Sequence, residues 1–127
     1  MASVRSTGTA PERAARRAFR AAGFRPALRP STLPGRPDIV LPVLRAVVFV
    51  HGCFWHAHGC VRAMTPETNR AYWVEKRRRN VTRDRRVVRM LRNQSWHVFT
   101  IWTCNLNTGV ARVIRSLDRL RLASSHA

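Results

Sequence analysis

Helical periodicity opens the chain. Glu12, Ala15, Phe19 and Ala22 fall on one stripe, because seven residues bring a helix back to within roughly 20° of its starting direction. Thr9-Ala10-Pro11-Glu12 has the capping-box pattern, with proline tolerated in the first turn, and Gly23 ends a helix that reaches about Ala22. Residues 29–36 form a turn-rich connector. Two short apolar runs, 37–41 and 45–50, are joined by Pro42-Val43-Leu44 and read as strands. A long helical region from about Pro66 or Glu67 to Arg92, a strand from Trp96 to Trp102 and a helix near Thr108 to Leu122 complete the pattern. The order helix, three strands interrupted by a helix, helix predicts a small mixed α/β sandwich. Residues 1–8 read as a flexible N-terminal arm, 9–122 as a single domain and 123–127 as a C-terminal tail.

Polar positions break this pattern in an informative way. The chain has only six acids, and three of them fall where apolar side chains are expected. Glu12 shares the stripe of the first helix. On the long helix Asp84 shares a stripe with Trp73, Asn80, Val88 and Leu91, with Val81 on its edge, and Asp38 opens an otherwise apolar strand. An inward carboxylate is costly unless it is paired, hydrogen-bonded or metal-bound. One such acid would suit a structural salt bridge to an arginine, but three suggest a site. Glu67, Glu75 and Asp118 read as ordinary: a residue near a helix start, an i,i+4 partner for Arg79 and a solvated charge.

Composition then names a partner class. The chain has 127 residues, 45% of them apolar, enough for one modest core. It carries 24 Lys+Arg against six Asp+Glu, a net charge of +18, which suits a polyanion bound with release of counterions. All the basic residues but Lys76 are arginines, so codon bias contributes, and anionic membranes also attract such charge. No amphipathic membrane helix stands out, no apolar run approaches the roughly eighteen residues of a membrane span, and residues 1–10 lack a signal-peptide core. Nucleic acid is therefore the expected partner, and a soluble, intracellular protein is expected. Three cysteines without a secretion signal favour metal ligation over a disulfide framework.

The densest chemistry lies between Val50 and Cys60, where three histidines, two cysteines, Phe54 and Trp55 are packed together. Cys53, His58 and Cys60, with Cys104 just past the last strand, make a Cys3His set for tetrahedral zinc, with His56 as the alternative to His58. Four protein ligands leave no open position, so this zinc would be structural. The remaining histidines, His51 among them, lie near the Asp38 strand and suit general acid or base work. Phe54 and Trp55 would either pack on the metal site or wedge between base pairs.

Four motifs in order carry a resemblance to a family: Pro34-Gly35-Arg36-Pro37-Asp38-Ile39-Val40; His51-Gly52-Cys53-Phe54-Trp55-His56; Tyr72-Trp73-x-x-Lys76 with Asn80 and Arg83-Asp84-Arg85; and Trp102-Thr103-Cys104. Over residues 9–122 the chain resembles the very short patch repair endonucleases, the Vsr family. The resemblance implies a restriction-endonuclease-like α/β fold, a central mixed β-sheet flanked by helices, with a structural zinc site. It implies a magnesium-dependent nick on the 5′ side of the thymine in a T:G mismatch, the lesion left when 5-methylcytosine deaminates, and hence very short patch repair of double-stranded DNA. A monomer in the bacterial cytoplasm, beside the nucleoid, is implied, with transient contact with repair proteins.

Carried over by motif, Asp38 is the magnesium-holding aspartate, His51 an active-site histidine, His56 the general base, Asp84 the acid supporting that base and Glu12 an acid near the site. Val50 would contact magnesium through its backbone carbonyl. Cys53, His58, Cys60 and Cys104 are the implied zinc ligands, Phe54 and Trp55 the intercalating aromatics, and Arg36, Lys76 and Asn80 implied DNA contacts. Restriction-type nucleases usually place a lysine on the second active-site strand, whereas the only lysine here is Lys76 on the helix, which leaves that work to histidine. Two departures stand out: Val50 replaces a frequent threonine, and only residues 1–8 precede the first helix where the family usually has a longer arm. Two other readings remain open at this point, a zinc-stabilised DNA-binding module without catalysis and a restriction-type nuclease cutting matched DNA.

Overall fold

The computed structural model describes residues 9–28, 32–52 and 69–125. Its elements follow the predicted order: α1 (Ala10–Ala21), β1 (Ile39–Leu41), β2 (Ala46–His51), α2 (Arg70–Asn93), β3 (His97–Trp102) and α3 (Leu106–Ser125), with 3-10 turns at Pro42–Leu44 and Thr103–Asn105. The Thr9 hydroxyl caps α1 by accepting the Glu12 amide at 3.3 Å, and Gly23 leaves the helix at φ +94°.

The three strands form one mixed sheet in the order β1-β2-β3. β1 and β2 pair antiparallel with Ile39 opposite Val48, while β2 and β3 pair parallel with His51 opposite Trp102. Parallel neighbours need a crossover, and α2 supplies it. Strand alternation then divides the core. Ala46, Val48, Ile39, Leu41 and Ile101 pack with Ala15 and Phe19 of α1 and with Val113 and Leu117 of α3. Val47 and Phe49 pack with Leu91, Val40, Val87 and Val98 on the α2 face. The sheet thus lies between two helical layers, and each fully buried Phe19 or Leu117 contributes about 1.5–3 kcal/mol relative to exposure.

Two glycines mark close approaches. A Cβ on Gly109 would lie 2.9 Å from the Ile101 side chain, so a larger residue there would force Ile101 or α3 to shift. Gly35 has φ +72°, and a Cβ there would collide with Val87 Cγ1, so this turn rests directly on α2. The far end of α2 is held by Arg45, itself left-handed at φ 51°, whose Nη2 donates to the Gln94 carbonyl at 2.6 Å and whose guanidinium lies 4.6 Å from the Trp96 ring centroid.

The boundaries differ from expectation in small, explicable ways. β1 starts at Ile39 rather than at residue 37: Pro37 has no amide to donate, and Asp38 takes a β2 amide with its side chain. α3 starts at Leu106 and runs through Gly109, whose place is set by Ile101 rather than by helix propensity. Glu75 pairs most closely with Arg78, at 2.7 Å, with Arg79 at 3.7 Å, and Asp118 pairs with Arg121. The Glu75 carboxyl is lowered below its ordinary range chiefly by the Arg78 hydrogen bond, and it lies at the surface.

Candidate active site

Strand parity brings the site together. His51 continues the Val47-Phe49 alternation, so it faces α2, and Asp38 precedes Val40 on the same face of β1. Across the pair, the Val50 amide donates to Asp38 Oδ2 at 2.7 Å. The carboxylate therefore extends the β1–β2 ladder beyond its last backbone pair, with its orientation set by a main-chain donor. The His51 ring sits between two aromatics, 5.4 Å from the Phe49 centroid and 5.4 Å from that of Trp102, with an edge-on interplanar angle of 69° to the latter. Trp102 reaches that position because it is the β3 partner of His51 in the parallel register.

α2 closes the face from above. Asp84 and Arg83 join Asp38, His51, Gly35 and Arg36 around a cavity of about 460 Å³. A second cavity, of about 590 Å³, adjoins it along α2 and β3; it shares His51, Asp84 and Val88 and adds Trp102, Thr100 and a row of arginines, Arg85, Arg89 and Arg92. The smaller cavity is the one that holds two carboxylates and an imidazole together.

The third inward acid is joined to this centre indirectly. Glu12 is 3% exposed. Its Oε2 accepts from Arg16 Nη2 at 3.1 Å, and the same nitrogen donates to the Asp38 carbonyl at 2.7 Å. All three inward acids thus belong to one region, two lining the cavity and one bracing it from behind. Arg16 was not singled out in the sequence, although its i,i+4 spacing from an inward Glu12 was the signal that pointed to it.

Among the DNA contacts implied by resemblance, Arg36 lines the smaller cavity. Lys76 and Asn80 lie two turns and one turn before Asp84 on α2; Lys76 Nζ is 5.9 Å from the Tyr72 ring centroid, and Asn80 Oδ1 accepts from Arg83 at 3.3 Å. Cys53, Phe54, Trp55, His56, His58 and Cys60 lie outside the described residues. Cys104 is half-buried in the turn after β3, two residues beyond Trp102. Because β2 and β3 end side by side, it emerges at the same end of the sheet as Gly52. Among the described residues no three His, Cys, Asp or Glu side chains form a metal-binding group.

Comparison with known proteins gives this arrangement a family. The family model described as DNA mismatch endonuclease Vsr matches residues 1–62. The chain is 44% identical over 107 residues to the type II nicking enzyme V.XorIIP of Xanthomonas oryzae, covering 84% of this chain and 79% of the relative. It is 46% identical over 76 residues to the DNA mismatch endonuclease Vsr of Escherichia coli, covering 60% of this chain and 49% of that protein. The type II nicking enzyme V.NmeAIP of Neisseria meningitidis is 36% identical over 121 residues, covering 94% of this chain and 85% of the relative. With two acids and a histidine meeting at the sheet end, and these matches along most of its length, the chain belongs to the Vsr family of endonucleases.

Proposed function

We propose that this protein nicks one strand of double-stranded DNA on the 5′ side of the thymine in a T:G mismatch, the product of 5-methylcytosine deamination, and so initiates very short patch repair. The observation that carries the reading is the shared cavity of Asp38, His51 and Asp84 in a chain of net charge +18. It acts as a monomer in the bacterial cytoplasm, on a restriction-endonuclease-like frame, with transient contact with repair proteins. No helix among the described residues is long and apolar enough to cross a membrane.

The donor set suits the proposed ions. Asp38 and Asp84 offer hard carboxylate oxygens to one cavity, which fits magnesium, with the Val50 carbonyl as a further donor. When bound there, magnesium supplies positive charge that stabilises the phosphate as charge develops on it. Cys104 offers the soft thiolate that zinc prefers, and Cys53, His58 and Cys60 complete the proposed set that fixes the loop.

His56 takes the proton of the attacking water at a ring nitrogen, and Asp84 supports that ring. The water oxygen bonds to phosphorus as the bond to the 3′ oxygen breaks, and that oxygen takes a proton from solvent water. His51, held between Phe49 and Trp102, presents an N–H to the phosphate. Arg36, Lys76 and Asn80 hold the DNA, and Phe54 and Trp55 enter beside the mismatch.

The test is magnesium-dependent nicking of a T:G duplex beside an A:T control. Selective nicking of the mismatch is expected. Retained binding with no nicking in magnesium or manganese would favour a DNA-binding module, and equal cutting of the control a nuclease for matched DNA.

A further inference from the structure

Asp38 stands just outside the sheet. β1 begins at Ile39, so the aspartate backbone is not part of the β1–β2 ladder, and the preceding Pro37 has no amide to contribute. Something else must fix the residue that presents the carboxylate. Among the contacts that do so are the Val50 amide on Oδ2 at 2.7 Å and Arg16 Nη2 on the backbone carbonyl, also at 2.7 Å.

Arg16 makes three connections with one planar group. Nη1 donates to the Ala27 carbonyl at 3.1 Å, and Nη2 donates both to Asp38 O and to Glu12 Oε2. The Ala27 amide in turn donates to the Val40 carbonyl at 2.8 Å, so residue 27 runs alongside the start of β1. The guanidinium thus satisfies two carbonyls where this short pairing ends, and a partly buried carbonyl without a donor would be costly. Glu12 sets the chemistry of the clamp. Its side chain is 4% exposed and that of Arg16 22%, so the pair is largely shielded from water. With its charge balanced by Glu12, Arg16 directs donors to main-chain oxygens.

We infer that Arg16 is a positioning residue for Asp38, and that Glu12 acts on the reaction through Arg16 by holding the guanidinium under the Asp38 carbonyl. This rests on the proposed role of Asp38 as the carboxylate that holds magnesium. The planar fork is essential, since a lysine ammonium cannot span the Ala27 and Asp38 carbonyls while staying on Glu12.

The experiment compares the full chain with Arg16→Gln, Arg16→Lys and Glu12→Gln, each also in an Asp38→Asn background. Single-turnover nicking of the T:G duplex should fall about 10- to 100-fold for Arg16→Gln, with duplex Kd within about threefold and a higher magnesium concentration at half-maximal rate. Arg16→Lys should recover only part of the rate. In the Asp38→Asn background the Arg16 substitution should add nothing, because both act through one group.

Hydrogen exchange gives a readout independent of activity. The Val50 amide should exchange about tenfold faster in Arg16→Gln, while the Ala46 to Val48 amides keep their protection. An unchanged Val50 amide, or a nicking loss matched by an equal loss of duplex binding, would overturn the inference. If the wild-type chain nicks no duplex, the proposed function fails, and the Val50 amide still decides whether Arg16 positions Asp38.

Discussion

The Asp38 carboxylate and the Val50 amide are joined at 2.7 Å across the open end of β1 and β2, so a side chain takes the place of the next rung of the sheet. The same bond aims the carboxylate and satisfies a backbone donor. Asp38→Asn and Asp38→Ala separate the two roles. Asparagine keeps an acceptor for Val50, so unfolding free energy should change by less than about 1 kcal/mol while nicking falls at least about 100-fold. Alanine leaves the amide without its acceptor and should cost about 1–3 kcal/mol as well. Urea denaturation beside single-turnover nicking reads both.

Gly35→Ala should perturb the site from outside it. The added methyl meets Val87 and the backbone is left-handed there, a combination that should cost about 1–3 kcal/mol. Since residue 35 sits three positions before Asp38, nicking should slow more than duplex binding weakens. Gly35→Ala with Val87→Ala removes the clash but not the backbone strain, and should recover only part of the loss in thermal denaturation.

Arg45→Ala tests the far end of α2. It removes donors to the Gln94 and Ser95 carbonyls and the contact with Trp96, and should destabilise by about 1 kcal/mol. Guanidinium denaturation should show the loss, with the nicking rate under native conditions preserved.

Cys104→Ser tests the proposed zinc. The wild-type chain should carry stoichiometric zinc, released to a chromogenic chelator on thiol modification, and the variant should carry none and unfold at lower temperature. A zinc-free wild type with the same melting temperature would remove zinc from the account.

Duplex affinity should depend steeply on salt. With net charge +18, several phosphates are neutralised on binding, and the slope of log K against log salt should be steeper than about −5. A slope near zero would show that the charge serves another purpose.

Much of the site was legible in the sequence because carboxylates are scarce in it. Asp38, Asp84 and Glu12 stood out as inward acids, and the structure gathers them at one end of the sheet. Arg16 was hidden among 23 arginines, and only geometry distinguishes the one that braces Asp38. The face on which His51 lies was equally hidden: Ala46 to Phe49 are apolar on both sides of the strand, as expected for a sheet covered by helices, so hydrophobicity gives no parity. Thr100, which lines the larger cavity, was missed for the same reason. α3 starts two residues before the expected Thr108 because the 3-10 turn Thr103–Asn105 runs straight into the helix at Leu106, a continuation that Asn105-Leu106-Asn107 does not signal.

The parallel register of β2 with β3 also bears on how the molecule reaches its native state. His51 and Trp102 become neighbours only after a loop of roughly fifty residues closes, and such distant pairings lose chain entropy before they are rewarded. The antiparallel β1–β2 pair needs only the short Pro42–Leu44 turn. Asp38 should therefore meet Val50 early during folding, whereas the aromatic cradle of His51 should form late. A chain emerging from the ribosome would hold half of its proposed catalytic centre well before it could complete the rest.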